Sequence, residues 1–460
     1  MRFLDEEWSW NLLRDKVFEQ QSCPPELERI GRTVAQSCGG LPLAIAVVAG
    51  ILAKVDKTQY HWEKIVKNIS AAVATNDEHF SKILILSYNC LPCHLKACFL
   101  YIGGFPEDYK ISVSKLTKLW IAEGLRSNDK IRFCGLHDLL RDLCIQKARK
   151  EEFLHVASNS ETGIQNQRRL SIHFRIDSNL VDKCARASPI HSILYFPKYL
   201  ASLSFLRGYR LLRVLDLFRA CLTFFPPEMT QLFHLRFLAF TCDLWKPNDR
   251  PVVPPSVSKL QNLQTLMIRS HATVLLPIEM WEMPQLRHLI FFQGSWLPIP
   301  APSGGQVLEN LQTLCVDNFR FTSNAIEMIP NLKKLKVCYY CPFRAPWIEY
   351  CLSNLVHLCQ LEFLNLMFTP PWKHIADPLP VNFALPPNLK KLTLSRCNIP
   401  WRHMVIIGTL PNLEVLKLRD RAFIGEEWEC SEGEFARLKF LLMEGLELEC
   451  WQVKQSLPMP

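Results

Sequence analysis

The sequence predicts an α+β multi-domain chain, with a helical region first and an α/β solenoid of stacked strands after it. Three observations carry this. A leucine pattern recurs at a nearly constant period through the second half of the chain. The first 150 residues instead place apolar residues at helical spacing, punctuated by Pro and Gly pairs. The length, 460 residues, is too great for one compact core.

The repeats come first. Leu-x-x-Leu-x-Leu, with aliphatic or Phe substitutes at the last place, begins at Leu212, Leu235, Leu263, Leu286, Leu311, Leu332, Leu361, Leu389, Leu413 and Leu438. The steps run from 21 to 29 residues, within the span of a leucine-rich repeat. Asn262, Asn310, Asn331, Asn388 and Asn412 stand just before the leucine that follows them. A degenerate unit is expected around residues 190–196. Strand alternation turns the fourth and sixth residues of each unit inward and the third, fifth and seventh outward. Prolines at Pro226-Pro227 and Pro254-Pro255 predict turns on the convex side.

The outward residues form the expected recognition face. Its early part is apolar and aromatic, with Val214, Asp216, Phe218, Phe237, Ala239, Thr265, Met267, Arg269, His288, Ile290 and Phe292. Its later part is basic, with Lys334, Lys336, Phe363, Asn365, Met367, Lys391, Val415, Lys417, Arg419 and Phe440. Aromatic anchors beside cations suit protein recognition. From this face Phe237, His288, Lys334, Lys336, Phe363, Lys391 and Lys417 are the candidate partner-binding residues. The same lysines could equally be a solvated face.

In the helical region, Pro24-Pro25 opens a helix over 26–37, and Gly39-Gly40 closes it. An apolar helix follows from Leu41-Pro42. More are expected over 62–73, 80–89, 95–101, 113–123 and 138–147.

Here the residues resemble a known family. Asp5-Glu6-Glu7-Trp8-Ser9-Trp10 with Lys16-Val17-Phe18, then Gly39-Gly40-Leu41-Pro42-Leu43-Ala44, are similar to consecutive blocks of a plant immune receptor nucleotide-binding domain. Leu91-Pro92, Cys98-Phe99-Leu100-Tyr101, Phe105-Pro106-Glu107-Asp108 and Leu119-Trp120-Ile121-Ala122-Glu123-Gly124 resemble the next. Leu136-His137-Asp138 resembles the Met-His-Asp motif, with Leu for Met. The chain therefore resembles the coiled-coil-type nucleotide-binding leucine-rich-repeat (NB-ARC LRR) resistance proteins, of the late-blight-resistance group. That implies residues 1–75 as the C-terminal part of NB-ARC, 76–150 as a shortened winged-helix region, 151–190 as a linker with a first degenerate repeat, and 191–460 as the repeat domain.

The resemblance also implies a nucleotide switch, with ADP holding the receptor closed and ATP opening it. Pro42 matches the proline that packs on adenine, and His137 the histidine that meets the ADP β-phosphate. Yet no Gly-x-x-x-x-Gly-Lys-Ser/Thr occurs in the chain, so most phosphate donors are missing. Only 11 residues, 125–135, separate the Trp-Ile-Ala-Glu-Gly segment from Leu136-His137-Asp138. No cofactor is therefore expected here, although intact family members hold ADP or ATP. Pro42 then reads as a helix-start proline and His137 as a helix N-terminal residue.

Other chemistry finds little support. Cys90-x-x-Cys93-His94 has the spacing of a c-type haem attachment, but the family block explains it better. Cys338-x-x-Cys341 lacks two further zinc ligands in reach. No catalytic or metal residues are assigned, and no enzyme is expected. The start Met1-Arg2-Phe3-Leu4-Asp5 carries charge where a secretory signal needs an apolar core. The longest apolar run, 41–53, is too short for a bilayer. These features predict a cytoplasmic chain with its 18 cysteines reduced. The net charge of +9 allows an acidic partner or a peripheral membrane contact without requiring nucleic acid.

The expected function is recognition, in plant defence, of a pathogen effector, a guarded host protein or another immune receptor. The alternatives are a nucleotide switch within a longer receptor, a cytosolic repeat adaptor, or an incomplete gene model.

Overall fold

The computed structural model describes residues 3–19, 21–73, 84–85, 88–125, 138–157, 168–174, 189–200, 203–242, 253–270, 273–292, 294–300, 306–340, 350–369 and 384–453. The chain divides into two compact units, Met1–Val156 and Ala157–Pro460.

The first unit is mostly helical among its described residues, with a two-residue strand, His155–Val156, at its end. Its helices are α1 (Glu6–Phe18), α2 (Pro25–Ser37), α3 (Pro42–Leu52), α4 (Gln59–Val73), α5 (Cys93–Ile102), α6 (Val113–Glu123) and α7 (Asp138–Lys150). Sequence periodicity missed α1. Asp5 starts it by accepting the Trp8 backbone N–H at 2.8 Å. Pro at the first turn starts α2 and α3, where no helical hydrogen bond is lost. Between them Gly40 turns at φ +70°, and Leu4 N–H donates to its carbonyl at 2.8 Å. A Cβ there would lie 2.4 Å from the Leu4 carbonyl oxygen. Trp10, Leu13, Leu27, Val34, Ile45, Val48, Leu52 and Trp62 form one buried core. Leu84, Tyr88, Leu100, Leu143 and Leu154 form another. Most of the helix expected over 80–89 lies outside the described residues.

The second unit is a solenoid whose strands lie side by side in chain order, all parallel. They are β1 (Arg169–Ile172), β2 (Ser192–Tyr195), β3 (Val214–Leu222), β4 (Phe237–Cys242), β5 (Thr265–Ser270) and β6 (His288–Phe291). Then follow β7 (Thr313–Asp317), β8 (Lys334–Tyr340), β9 (Phe363–Thr369), β10 (Lys391–Ser395), β11 (Val415–Arg419) and β12 (Phe440–Glu444). The degenerate unit expected at 190–196 is β2. The sheet also includes β1, which falls in the stretch read from sequence as a linker.

The register stacks equivalent leucines. Leu314, Leu335, Leu364, Leu392 and Leu416 pair across adjacent strands, and all are fully buried. Side chains from each of these strands and from the described 3₁₀ turns between them join in one continuous core. The asparagines that precede the leading leucines have a structural role within the chain. Asn262, Asn310, Asn331 and Asn388 each donate through Nδ2 to a backbone carbonyl of the preceding unit, at 2.8 to 3.0 Å. The amide thus satisfies a carbonyl that no strand pairs. The proline segments form 3₁₀ turns, Pro227–Gln231 and Pro255–Lys259, as the missing N–H and fixed φ favour.

Candidate recognition face

Strand pairing places the outward residues in rows that cross the sheet. One row reads Val214, Phe237, Thr265, His288, Thr313, Lys334, Phe363, Lys391, Val415, Phe440. The next reads Asp216, Ala239, Met267, Ile290, Cys315, Lys336, Asn365, Thr393, Lys417, Leu442. A third contains Asp317, Cys338, Met367, Ser395, Arg419 and Glu444. Neighbouring strands in such a sheet lie about 4.8 Å apart, so Lys334 and Lys391 flank Phe363 at about 10 Å from each other.

The early face differs from the expectation. Phe237 is buried at 0% exposure, and Val214, Asp216, Ala239, Thr265 and Met267 are buried with it. Phe237 is therefore not a solvent-facing anchor in this conformation. Alternation assigns a residue to a face, but apolar outward residues on adjacent strands pack against each other and leave water. A register shift after Leu217 also displaces Phe218. Its ring meets Phe292 edge-on at 5.1 Å, and the Arg269 guanidinium lies over it at 4.2 Å. His288 is half-buried, with Nδ1 3.1 Å from Thr313 Oγ1 on the next strand.

The later face is open. Lys334, Lys336 and Lys391 are exposed, and Phe363 and Lys417 are half-buried. Lys417 Nζ sits 5.6 Å above the Phe440 ring. From Thr265 to Leu442 the first two rows carry no acidic residue. Lys334, Lys336 and Lys391 have no ion-pair partner among the described residues. Cations just off these rows do pair, as in Lys390–Glu362 at 3.3 Å, Lys439–Glu414 at 3.2 Å and Arg419–Glu444 at 3.2 Å.

Sequence reasoning missed a cavity beside this face. It measures about 210 Å³ and is lined by Phe292, Cys315, Asp317, Lys336, Cys338, Tyr340 and Met367, with Phe291 and Val316 behind them. Burial raises the Asp317 carboxyl to about 6. Its Oδ2 accepts the Ser295 N–H at 3.0 Å, and Ser295 Oγ accepts the Asp317 N–H at 3.1 Å.

Pro42 is the first residue of α3 and is half-exposed. His137 lies outside the described residues. Cys338 is buried on the third outward row, and burial pushes its thiol up to about 11. Among the described residues, no group of three or more His, Cys, Asp or Glu could hold a metal. No described helix is long and apolar enough to cross a membrane.

Comparison with known proteins agrees with the repeats and extends beyond them. The model of a leucine-rich repeat region matches residues 189–401. The late blight resistance protein homolog R1B-16 of Solanum demissum is 34% identical over 98% of this chain and 38% of its own length. Homolog R1B-8 from the same plant is 34% identical over 97% of this chain and 40% of itself. Homolog R1B-14 is 33% identical over 95% and 36%. The match takes in the helical unit as well as the repeats, while the chain spans only about two fifths of each relative. By sequence, the chain is similar to the late blight resistance protein homologs over nearly its whole length.

Proposed function

We propose that the chain acts in plant disease resistance as a binding module, not an enzyme, and that the later strand face contacts the acidic surface of a partner protein. The observation that carries this is the cluster of exposed Lys334, Lys336 and Lys391 around Phe363, in two rows that carry no acid from Thr265 to Leu442. An aromatic ring between unneutralised cations offers both a desolvated anchor and steering charge. The relatives' role in late blight resistance suggests a pathogen effector, a guarded host protein or another immune receptor as the partner. Cytoplasmic residence fits this reading, since such partners meet there.

The test is affinity capture from infected leaf extract across a salt series. Replacing Lys334, Lys336, Lys391 and Lys417 with Glu should abolish a salt-sensitive partner. Capture that survives both the substitutions and the salt would refute the reading.

The helical unit reads as a remnant of the NB-ARC module, with its winged-helix part shortened. These 460 residues alone should bind neither ADP nor ATP, because no P-loop supplies backbone donors and a lysine to the phosphates. Calorimetric titration with ADP should give no heat above dilution. Micromolar affinity would restore the nucleotide-switch reading.

A further inference from the structure

We propose that the cavity between Phe292 and Met367 is the anchor hole of this face, and that it receives a tyrosine side chain of the partner protein. The proposal rests on the recognition reading above and names the residue type that would lead the contact.

Size argues first. At about 210 Å³ the hollow has room for one aromatic ring. The wall suits an aromatic ring. Phe292 is 43% exposed and Tyr340 38%, so both present ring surface at the mouth. Met367 and Cys338 add polarisable sulfur, which packs well on aromatic rings.

Charge then narrows the choice. The one carboxylate in the wall belongs to Asp317, only 7% exposed. It opposes an incoming acid and can accept from a neutral donor. A cation is opposed in turn. Lys336 lines the cavity, Arg396 acts electrostatically on Cys338, and Arg269 lies 5.5 Å from the Phe292 ring centre. A neutral ring carrying an O–H donor satisfies both constraints, because its faces pack on the rings and sulfurs of a mixed wall and its hydroxyl donates to the carboxylate. The raised titration of Asp317 agrees with a poorly hydrated carboxylate.

Side-chain analogues test the site without knowledge of the partner. The full chain, labelled at its methionine methyls with carbon-13, is titrated with p-cresol, toluene, p-toluate and 4-methylbenzylamine. The Met367 resonance should shift with p-cresol. Toluene should bind about five-fold more weakly, the value of one neutral hydrogen bond. The acid and the amine should bind more weakly still. Cys338→Phe, which fills the cavity, should abolish the Met367 shift while the other methyl resonances report an intact fold. Crystals soaked in p-cresol give a second measurement free of any variant. The ring should lie between Phe292 and Met367, with its hydroxyl in hydrogen-bond reach of Asp317. Equal binding of toluene, tighter binding of the acid or amine, or a ring found elsewhere would overturn the proposal. None of these outcomes bears on the lysine face itself, so the two readings fail separately.

Discussion

Leu335 and Lys336 are neighbours in sequence with opposite duties, and separating them tests the register of the whole face. Leu335 is 0% exposed and pairs across β7 and β9 with Leu314 and Leu364, which are equally buried. Truncating a buried leucine to alanine costs about 2–5 kcal/mol, the transfer term plus the cavity left behind. Here the flanking strands are held by their own ladder and cannot close in, so about 3 kcal/mol is expected. At about 1.4 kcal/mol per decade, local opening of β8 should rise about 100-fold. Hydrogen exchange of peptides covering Lys334–Tyr340 and Phe363–Thr369 reads this directly. Because each unit contacts only its neighbours, protection in β2 and β3 should hardly change. Lys336→Ala removes an exposed side chain and should alter exchange by less than about 0.5 kcal/mol equivalent. It should instead weaken partner capture. Equal loss of protection in the two variants would show that this strand does not alternate as the register requires, and the list of face residues would fall with it.

Two further outcomes follow from single residues. Gly40→Ala places a methyl 2.4 Å from the Leu4 carbonyl at φ +70°, so it should release the segment before α1 and cost more than about 1 kcal/mol. Faster exchange at the Leu4 amide, which now donates to Gly40, checks it, and unchanged exchange would refute the contact. Asp317 is raised from 3.8 to about 6 in the folded chain, so the native state binds its proton more tightly than the unfolded state does. Stability of β7 should therefore fall as pH rises from about 4 to about 6, by at most about 3 kcal/mol, and should level off above that. Asp317→Asn should flatten this slope in a pH series of denaturant melts; a slope retained in the variant assigns it to another group.

Much of the solenoid was legible because its signal is periodic. A leucine at every other strand position states which side faces the core, and the asparagines mark where each unit begins. Elements without that signal were lost. β1 reads Arg169-Leu170-Ser171-Ile172 and lacks the leading leucine that anchors the other matches. α1 has a weak apolar stripe, yet its polar ends announce it, with Asp5 as the cap, Glu6 and Glu7 in the first turn and Lys16 in the last. The helices opened by Pro25 and Pro42 were found at nearly their observed bounds, because proline and glycine punctuate locally. The candidate site divides in the same way. That Phe237 and Lys334 share a row follows from counting. That one is buried and the other exposed depends on what packs over each row, which no local pattern records. The cavity was invisible for the same reason, since its wall comes from four successive strands and the turns that follow them.

The positions of the charges argue that the lysine face is more than a means of staying dissolved. Lys390 and Lys391 are adjacent, as are Lys333 and Lys334. The residue just before each late strand alternates in sign, as Glu362, Lys390, Glu414 and Lys439, and forms Lys390–Glu362 and Lys439–Glu414 across neighbouring units. A solvated surface with mixed signs looks like this edge. One residue further on, the same strands present Lys334, Phe363 and Lys391, with no acid in that row or the next beyond Asp216. The chain thus places acids beside these two rows, Asp317 and Glu444 of the third row included, and keeps them off the stretch that holds the lysines. Solubility is served equally well by either arrangement, whereas only the unneutralised one leaves charge to be met by another molecule. The same asymmetry predicts the sign of its partner. Adding acid to the face, by Thr393→Glu between Asn365 and Lys417, should weaken capture more than an equal change of charge at the already paired edge, Lys390→Gln or Lys439→Gln.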